Sequence, residues 1–97
     1  MAKGYWVAAY RSITDMAALA AYGKLAVPAV EAAGGRLLAR GGLVKAYEAG
    51  VSERTVIIEF DSFELAVTAY ESNKYREALA ALGDGAERDF RIVAGLA

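Results

Sequence analysis

Arg36, Arg40 and Glu59 are the residues from which chemistry could start. The two arginines stand just inside two glycine pairs in "GGRLLARGG" (34–42), and Glu59 interrupts the apolar run "RTVIIEF" (54–60). A guanidinium fork suits a carboxylate or enolate oxygen. A glutamate can act as a general base where burial raises its pKa, although a neighbouring arginine lowers it again. The plainer reading is an Arg40–Glu59 ion pair that orders a hairpin, since buried charges need partners in any case. Tyr22, Tyr70 and Tyr75 could each present a hydroxyl to a ligand, or pack as aromatic bodies with one hydrogen-bonded end. Arg91 could add charge to the same pocket or bridge two subunits. Arg54, beside Glu53 near a turn, is expected in solvent.

Composition removes many alternatives. The 97 residues include neither cysteine nor histidine. That excludes thiolate chemistry, histidine general bases, Ser-His-Asp triads and zinc hydrolase sites. No metal and no organic cofactor is expected. Eleven basic against twelve acidic residues give a net charge of -1, and the cations are interspersed with acids. A nucleic-acid partner would call for a basic face. "GGRLLARGG" is neither a P-loop nor a GxGxxG fingerprint. The most apolar long stretch, 16–35, is broken by Lys24, Pro28, Glu31 and two glycines, so a membrane span is not expected. The N-terminus lacks the apolar core of a signal peptide, and the expectation is a cytoplasmic protein.

The elements that must position these residues follow from periodicity. With 57% apolar residues the chain has enough to pack one core, and it reads as a single domain over 1–97. "GYWVAAYR" (4–11) predicts a first strand. Thr14 and Asp15 supply capping oxygens for a helix in which Met16, Leu19, Ala20, Gly23, Val27 and Val30 recur at helical spacing. Pro28 should kink or break that helix, and Gly34-Gly35 should end it. "RLLARGGLVKAYEAG" predicts a second strand, bent by a bulge at Gly41-Gly42. "ERTVIIEF" (53–60) predicts a third. Asp61 with Glu64 fits a capping box for a further helix, Ser72 can cap another after it, and "RDFRIVAGL" closes the chain as a fourth strand.

The order β-α-β-β-α-β predicts an α+β fold, the ferredoxin-like plait, with a four-stranded antiparallel sheet and its helices on one face. In the third strand Val56, Ile58 and Phe60 should face the helices, leaving Thr55, Ile57 and Glu59 on the open side. Arg91 and Val93 fall on that open side too. An open face with apolar residues at its middle needs a partner, and a second copy packed face to face is the simplest. Antiparallel pairing would then place Arg36, Leu38 and Arg40 beside Glu59 on the open face, in a semi-enclosed space between two sheets. A one-residue slip would reverse every one of these assignments. RNA binding, which the plait also supports, would need a glycine and stacking aromatics that "RTVIIEF" lacks.

The stretches "KGYWV" (3–7), "GGRLLARGG", "ERTVIIEFDSFELA" (53–66), "YESNKY" (70–75) and "IVAGL" (92–96) together resemble the DUF1330 family over nearly the whole chain. The resemblance implies the dimeric α+β barrel version of the ferredoxin-like fold and no particular reaction. Related barrels include antibiotic-biosynthesis monooxygenases and haem-degrading enzymes, which is analogy at the level of fold. Members of the family often carry a polar residue, frequently histidine, late in the first strand. Ala9 stands there in this chain, which speaks against a proton-transfer role at that position, and the lack of histidine speaks against haem degradation.

Two functions remain open. The first is a homodimer that binds, or transforms without a cofactor, a small anionic or aromatic molecule in a pocket built from Arg40, Glu59, Tyr5, Tyr22 and Arg91. The second is a non-catalytic structural or regulatory dimer in which the arginine and glutamate hold the barrel. A ligand-sized cavity favours the first, and a solidly packed sheet interface favours the second.

Overall fold

Side chains able to accept a hydrogen bond stand where the helices begin. In the computed structural model, which describes residues 2–97, the chain runs β1 (Gly4–Ile13), α1 (Met16–Ala32), β2 (Arg36–Arg40), β3 (Thr55–Phe60), α2 (Phe63–Tyr70), α3 (Asn73–Leu82) and β4 (Ala86–Ala94). Asp15 caps α1 by accepting from the Ala18 amide at 3.0 Å, and Ser72 caps α3 by accepting from Tyr75. Each side chain satisfies an amide that the first helical turn would otherwise leave unpaired. Ser62, rather than Asp61, caps α2. Asp61 is drawn off elsewhere, because Arg36 donates to its carboxylate at 3.0 Å and Lys3 at 3.4 Å.

The four strands form one antiparallel sheet in the order β2-β3-β1-β4. This is the expected ferredoxin-like α+β architecture. Alternation along β1 separates its two faces: Trp6, Ala8 and Tyr10 are buried, while Tyr5, Val7 and Ala9 are only half-buried. Ile58 and Phe60 of β3 join the buried side, as the sequence predicted. Trp6 is the hub of the core. Its ring lies 4.8 Å from Tyr75 and 5.2 Å from both Phe60 and Phe90, and its indole N–H donates to the Ala66 carbonyl at 2.7 Å. The hydrogen bond lets a polar group enter the core without the penalty of an unpaired donor.

Two expectations about β2 need correction. The second strand stops at Arg40, and residues 41–54 form a connection without strand pairing. Gly41, at φ +68°, turns the backbone out of the ladder after a last bond from its amide to the Thr55 carbonyl. That conformation is nearly free for glycine. The bulge falls between Leu37 and Ala39, not at Gly41-Gly42. Pro28 lies inside α1 without dividing it into two helices. Among the described residues no helix is long and apolar enough to cross a membrane.

Candidate functional site

The bulge at Leu38 decides which side chains meet. Arg36 stands opposite Glu59 and Leu37 opposite Ile58. Past the extra residue Ala39 stands opposite Ile57 and Arg40 opposite Val56. Arg40 therefore shares the helix-facing side with Val56 and does not pair with Glu59. This overturns the expected Arg40–Glu59 pair, because one inserted residue inverts the alternation.

Glu59 is instead held by Arg36, whose Nε lies 2.9 Å from Oε1, and by the Tyr5 hydroxyl, which donates to Oε2 at 3.2 Å. The hydrogen bond from Arg36 holds the Glu59 carboxyl below its ordinary range, and the same guanidinium does so for Asp61. Burial, then the bond to Glu59, pushes the Tyr5 phenol up. A carboxylate so stabilised is a poor base near neutral pH. Arg91 lies on this open face as well, paired with Asp89 at 3.1 Å. Tyr5, Glu59 and Arg91 thus belong to the open face of the sheet.

Arg40 and Tyr22 line a different space. A cavity of about 610 Å³ lies between α1 and the helix-facing side of the sheet, with Trp6, Ile58 and Phe90 among its walls. Its charged lining consists of Lys24, Arg40, Arg54 and Arg88, and no carboxylate lines it among the described residues. A cross-strand row explains the cations. Tyr10 pairs with Arg88 on one side, and its amide donates to the Arg54 carbonyl at 2.9 Å on the other. Both guanidiniums approach the Tyr10 ring, Arg54 at 5.9 Å and Arg88 at 5.6 Å from its centroid. The π faces of Tyr10, Tyr22 and Phe90 offset part of the cost of half-burying Arg88.

Gly41 makes room for one of the arginines: a Cβ there would collide with the Arg54 guanidinium. Arg54, expected in solvent, is partly buried, and its Nε is fully buried with no hydrogen-bond partner among the described residues. A buried charged donor left unpaired is costly, while the residue itself is among those that line the cavity.

Tyr22 completes the lining. Its hydroxyl lies 2.7 Å from that of Tyr75 and accepts from Arg88 Nη1 at 3.1 Å. Tyr75 is wholly buried, and burial pushes its phenol pKa well above the ordinary value.

Of the residues singled out in the sequence, Tyr22 and Arg40 are brought together at the cavity, while Tyr5, Glu59 and Arg91 lie across the sheet. Sequence reasoning missed Arg54 and Arg88. The signal for Arg88 was available: Arg88, Phe90 and Ile92 alternate on β4 with the same period that places Phe90 in the core. For Arg54 no strand pattern extended far enough to assign a face.

The family model described as a domain of unknown function, DUF1330, matches residues 3–96. No curated protein matches the sequence. Among solved structures, a protein of unknown function from Rhodopseudomonas palustris superposes with a TM-score of 0.71 at 21% identity, covering 96% of this chain and 80% of its own. A Caulobacter crescentus protein, provisionally assigned as an antibiotic biosynthesis monooxygenase, gives 0.60 at 14% identity, covering 99% and 91%. A ferredoxin-like protein of unknown function from Thermobifida fusca, described as dimeric, gives 0.51 at 14%, covering 98% and 92%. At these identities the likeness concerns the fold.

Proposed function

The chain belongs to the DUF1330 family, and we propose that its cavity binds a small organic anion with an apolar, aromatic-sized body. One observation carries this reading: three arginines and a lysine line a mainly apolar cavity of about 610 Å³ that has no carboxylate among its described lining residues. Ligand sites typically fall within roughly 300–1,000 Å³ and combine apolar walls with a few placed polar groups. Arginine in such a wall favours a carboxylate, which it can grip through two parallel hydrogen bonds. Arg54 and Arg40, which both line the cavity with apolar walls around them, are the expected anion contacts. The reading places the pocket within one subunit, on the helix side of the sheet.

The test is a thermal-shift titration with 2-naphthoate, using the uncharged 2-naphthalenemethanol as its control. At a hundred times its dissociation constant the acid should stabilise the protein by about 2.7 kcal/mol. The alcohol should give a much smaller shift, and a folded Arg54→Leu protein should lose the advantage of the acid. Equal shifts from acid and alcohol, or none from either, would remove the reading.

The opposite face carries the second half of the proposal, a homodimer joined sheet to sheet. Val93 is 50% exposed, and Tyr5, Val7 and Ile57 beside it are only half-buried. Their neighbours Glu59, Asp89 and Arg91 are already engaged in ion pairs. An apolar centre rimmed by satisfied charges suits a self-complementary interface, and the Thermobifida fusca relative in fold is described as a dimer. Sedimentation should give twice the chain mass, and Val93→Asp should return it to the mass of one chain. A wild-type protein that sediments as a monomer at micromolar concentration would contradict this half alone.

A further inference from the structure

The phenol pair at the inner wall of the cavity has a direction. Tyr75 Oη has two hydrogen-bonding neighbours among the described residues, Tyr22 Oη at 2.7 Å and Arg88 Nη2 at 3.5 Å. A guanidinium only donates. A wholly buried hydroxyl that donated to nothing would carry an unmet desolvation penalty, so the Tyr75 proton goes to Tyr22. The Tyr22 oxygen then accepts from Tyr75 and from Arg88 Nη1 at 3.1 Å. Both of its acceptor sites are filled. Its own proton has no acceptor in the described protein, and Tyr22 lines the cavity.

We infer that Tyr22 is a hydrogen-bond donor into the cavity, and that the ligand carries an acceptor oxygen there, a carbonyl conjugated to its ring, at the end away from its carboxylate. This deepens the anion-binding reading and rests on it. The separation of the two ends follows from the sheet. Arg54 flanks Tyr10 from the β3 side, whereas Arg88 flanks it from β4 with Tyr22 stacked against it at 5.0 Å. Arg40 lies on β2, next to β3. Arg40 and Arg54 thus come from the β2–β3 side of β1, and Arg88, to which the Tyr22 hydroxyl is bonded, from the β4 side. A ligand that satisfies both is an aromatic acid with a carbonyl opposite its carboxylate.

The experiment compares two acids of nearly equal shape, 4-acetylbenzoate and 4-isopropylbenzoate, by calorimetric titration. Losing the acceptor while leaving a donor buried should weaken binding by about tenfold. Wild type should prefer the acetyl compound by that factor, and Tyr22→Phe should bind the two alike. Arg40→Leu should weaken both while keeping their ratio. Equal affinities in wild type, or a ratio that survives in Tyr22→Phe, would overturn the inference and leave the anion site standing. Binding of neither acid would count against the site itself. Neutron diffraction from deuterium-exchanged crystals without ligand separates that case. The Tyr75 deuteron should point at Tyr22 Oη and the Tyr22 deuteron into the cavity, and the reverse arrangement would overturn the assignment of the donor whatever binds.

Discussion

Arg36 stands directly opposite Glu59 across the β2–β3 ladder, with Nε 2.9 Å from Oε1. The pair anchors a small network on the open face, in which Tyr5 donates to the same carboxylate and Asp61 takes the second arm of the guanidinium.

That network has a pH signature. The folded Glu59 carboxyl lies below its ordinary value of 4.5, chiefly because Arg36 donates to it. A depressed folded value means that the contribution to stability is fully present above pH 4.5. It is lost as the pH falls through the folded value. Carbon-detected NMR should place the Glu59 midpoint below 4.5 in the wild type and higher in Arg36→Leu. The difference in stability between the two proteins should shrink as the medium becomes acidic. A wild-type Glu59 that titrates at its ordinary value would show that the pair is not formed in solution.

The same pairing shows what could be read from the sequence and what could not. Strand order, helix positions and the face carrying Ile58 and Phe60 followed from periodicity and caps, because burial imposes those patterns directly. The register of β2 did not follow. Five residues with leucine at both Leu37 and Leu38 fit either face. The glycines that drew attention to a bulge serve instead to turn the chain out at Gly41 and to clear space for Arg54. A bulge at Leu38 has no residue signature, since any side chain can occupy it when it points to solvent. Arg40 consequently moved to the cavity, and Arg36 took the place expected for it. The cavity itself was invisible in sequence because its arginines come from three separate strand ends, brought into neighbouring rows only by the antiparallel register.

Gly4 and Gly42 should respond oppositely to alanine. A Cβ on Gly4 would overlap the Ser62 carbonyl oxygen and come within 2.6 Å of the Phe63 Cα, where α2 crosses the start of β1. Backbone on both sides cannot move out of the way cheaply, so Gly4→Ala should cost about 1–3 kcal/mol. A Cβ on Gly42 would meet nothing within 4 Å. Gly42→Ala should be neutral, or stabilise by up to about 1 kcal/mol through the unfolded chain. Urea denaturation of both variants checks the contrast, which fails if the two midpoints move together.

Trp6 should report on both core and cavity. It is 1% exposed, packs against Phe60, Tyr70, Tyr75 and Phe90, and also lines the cavity. Truncating so large a buried ring typically costs about 3–5 kcal/mol, and here the Ala66 carbonyl loses its donor as well. Trp6→Ala should therefore be marginally folded or unfolded at room temperature. In the wild type, whose single tryptophan this is, a ligand seated in the cavity should change its fluorescence, with the same midpoint as the thermal shift. A compound that stabilises the protein and leaves this emission unchanged binds elsewhere.

The connection between β2 and β3 should be where proteases enter and where a ligand is felt. Residues 41–54 lack strand pairing, and Leu43, Tyr47 and Val51 along them are exposed. Segments with few buried contacts open most readily, and Lys45 in their midst offers trypsin a site. Limited digestion should therefore first divide the chain into residues 1–45 and 46–97, ahead of any cut within the helices or β1. The connection begins just after Arg40 and ends at Arg54, both of which line the cavity. An anion gripped by the two arginines would tie the ends of the loop together and reduce its opening. Saturating 2-naphthoate should then slow cleavage after Lys45 by several-fold, while 2-naphthalenemethanol leaves the rate nearly unchanged. If cleavage after Lys45 keeps its rate while thermal stability rises, the anion is held without Arg40 and Arg54, and Arg88 becomes its main contact.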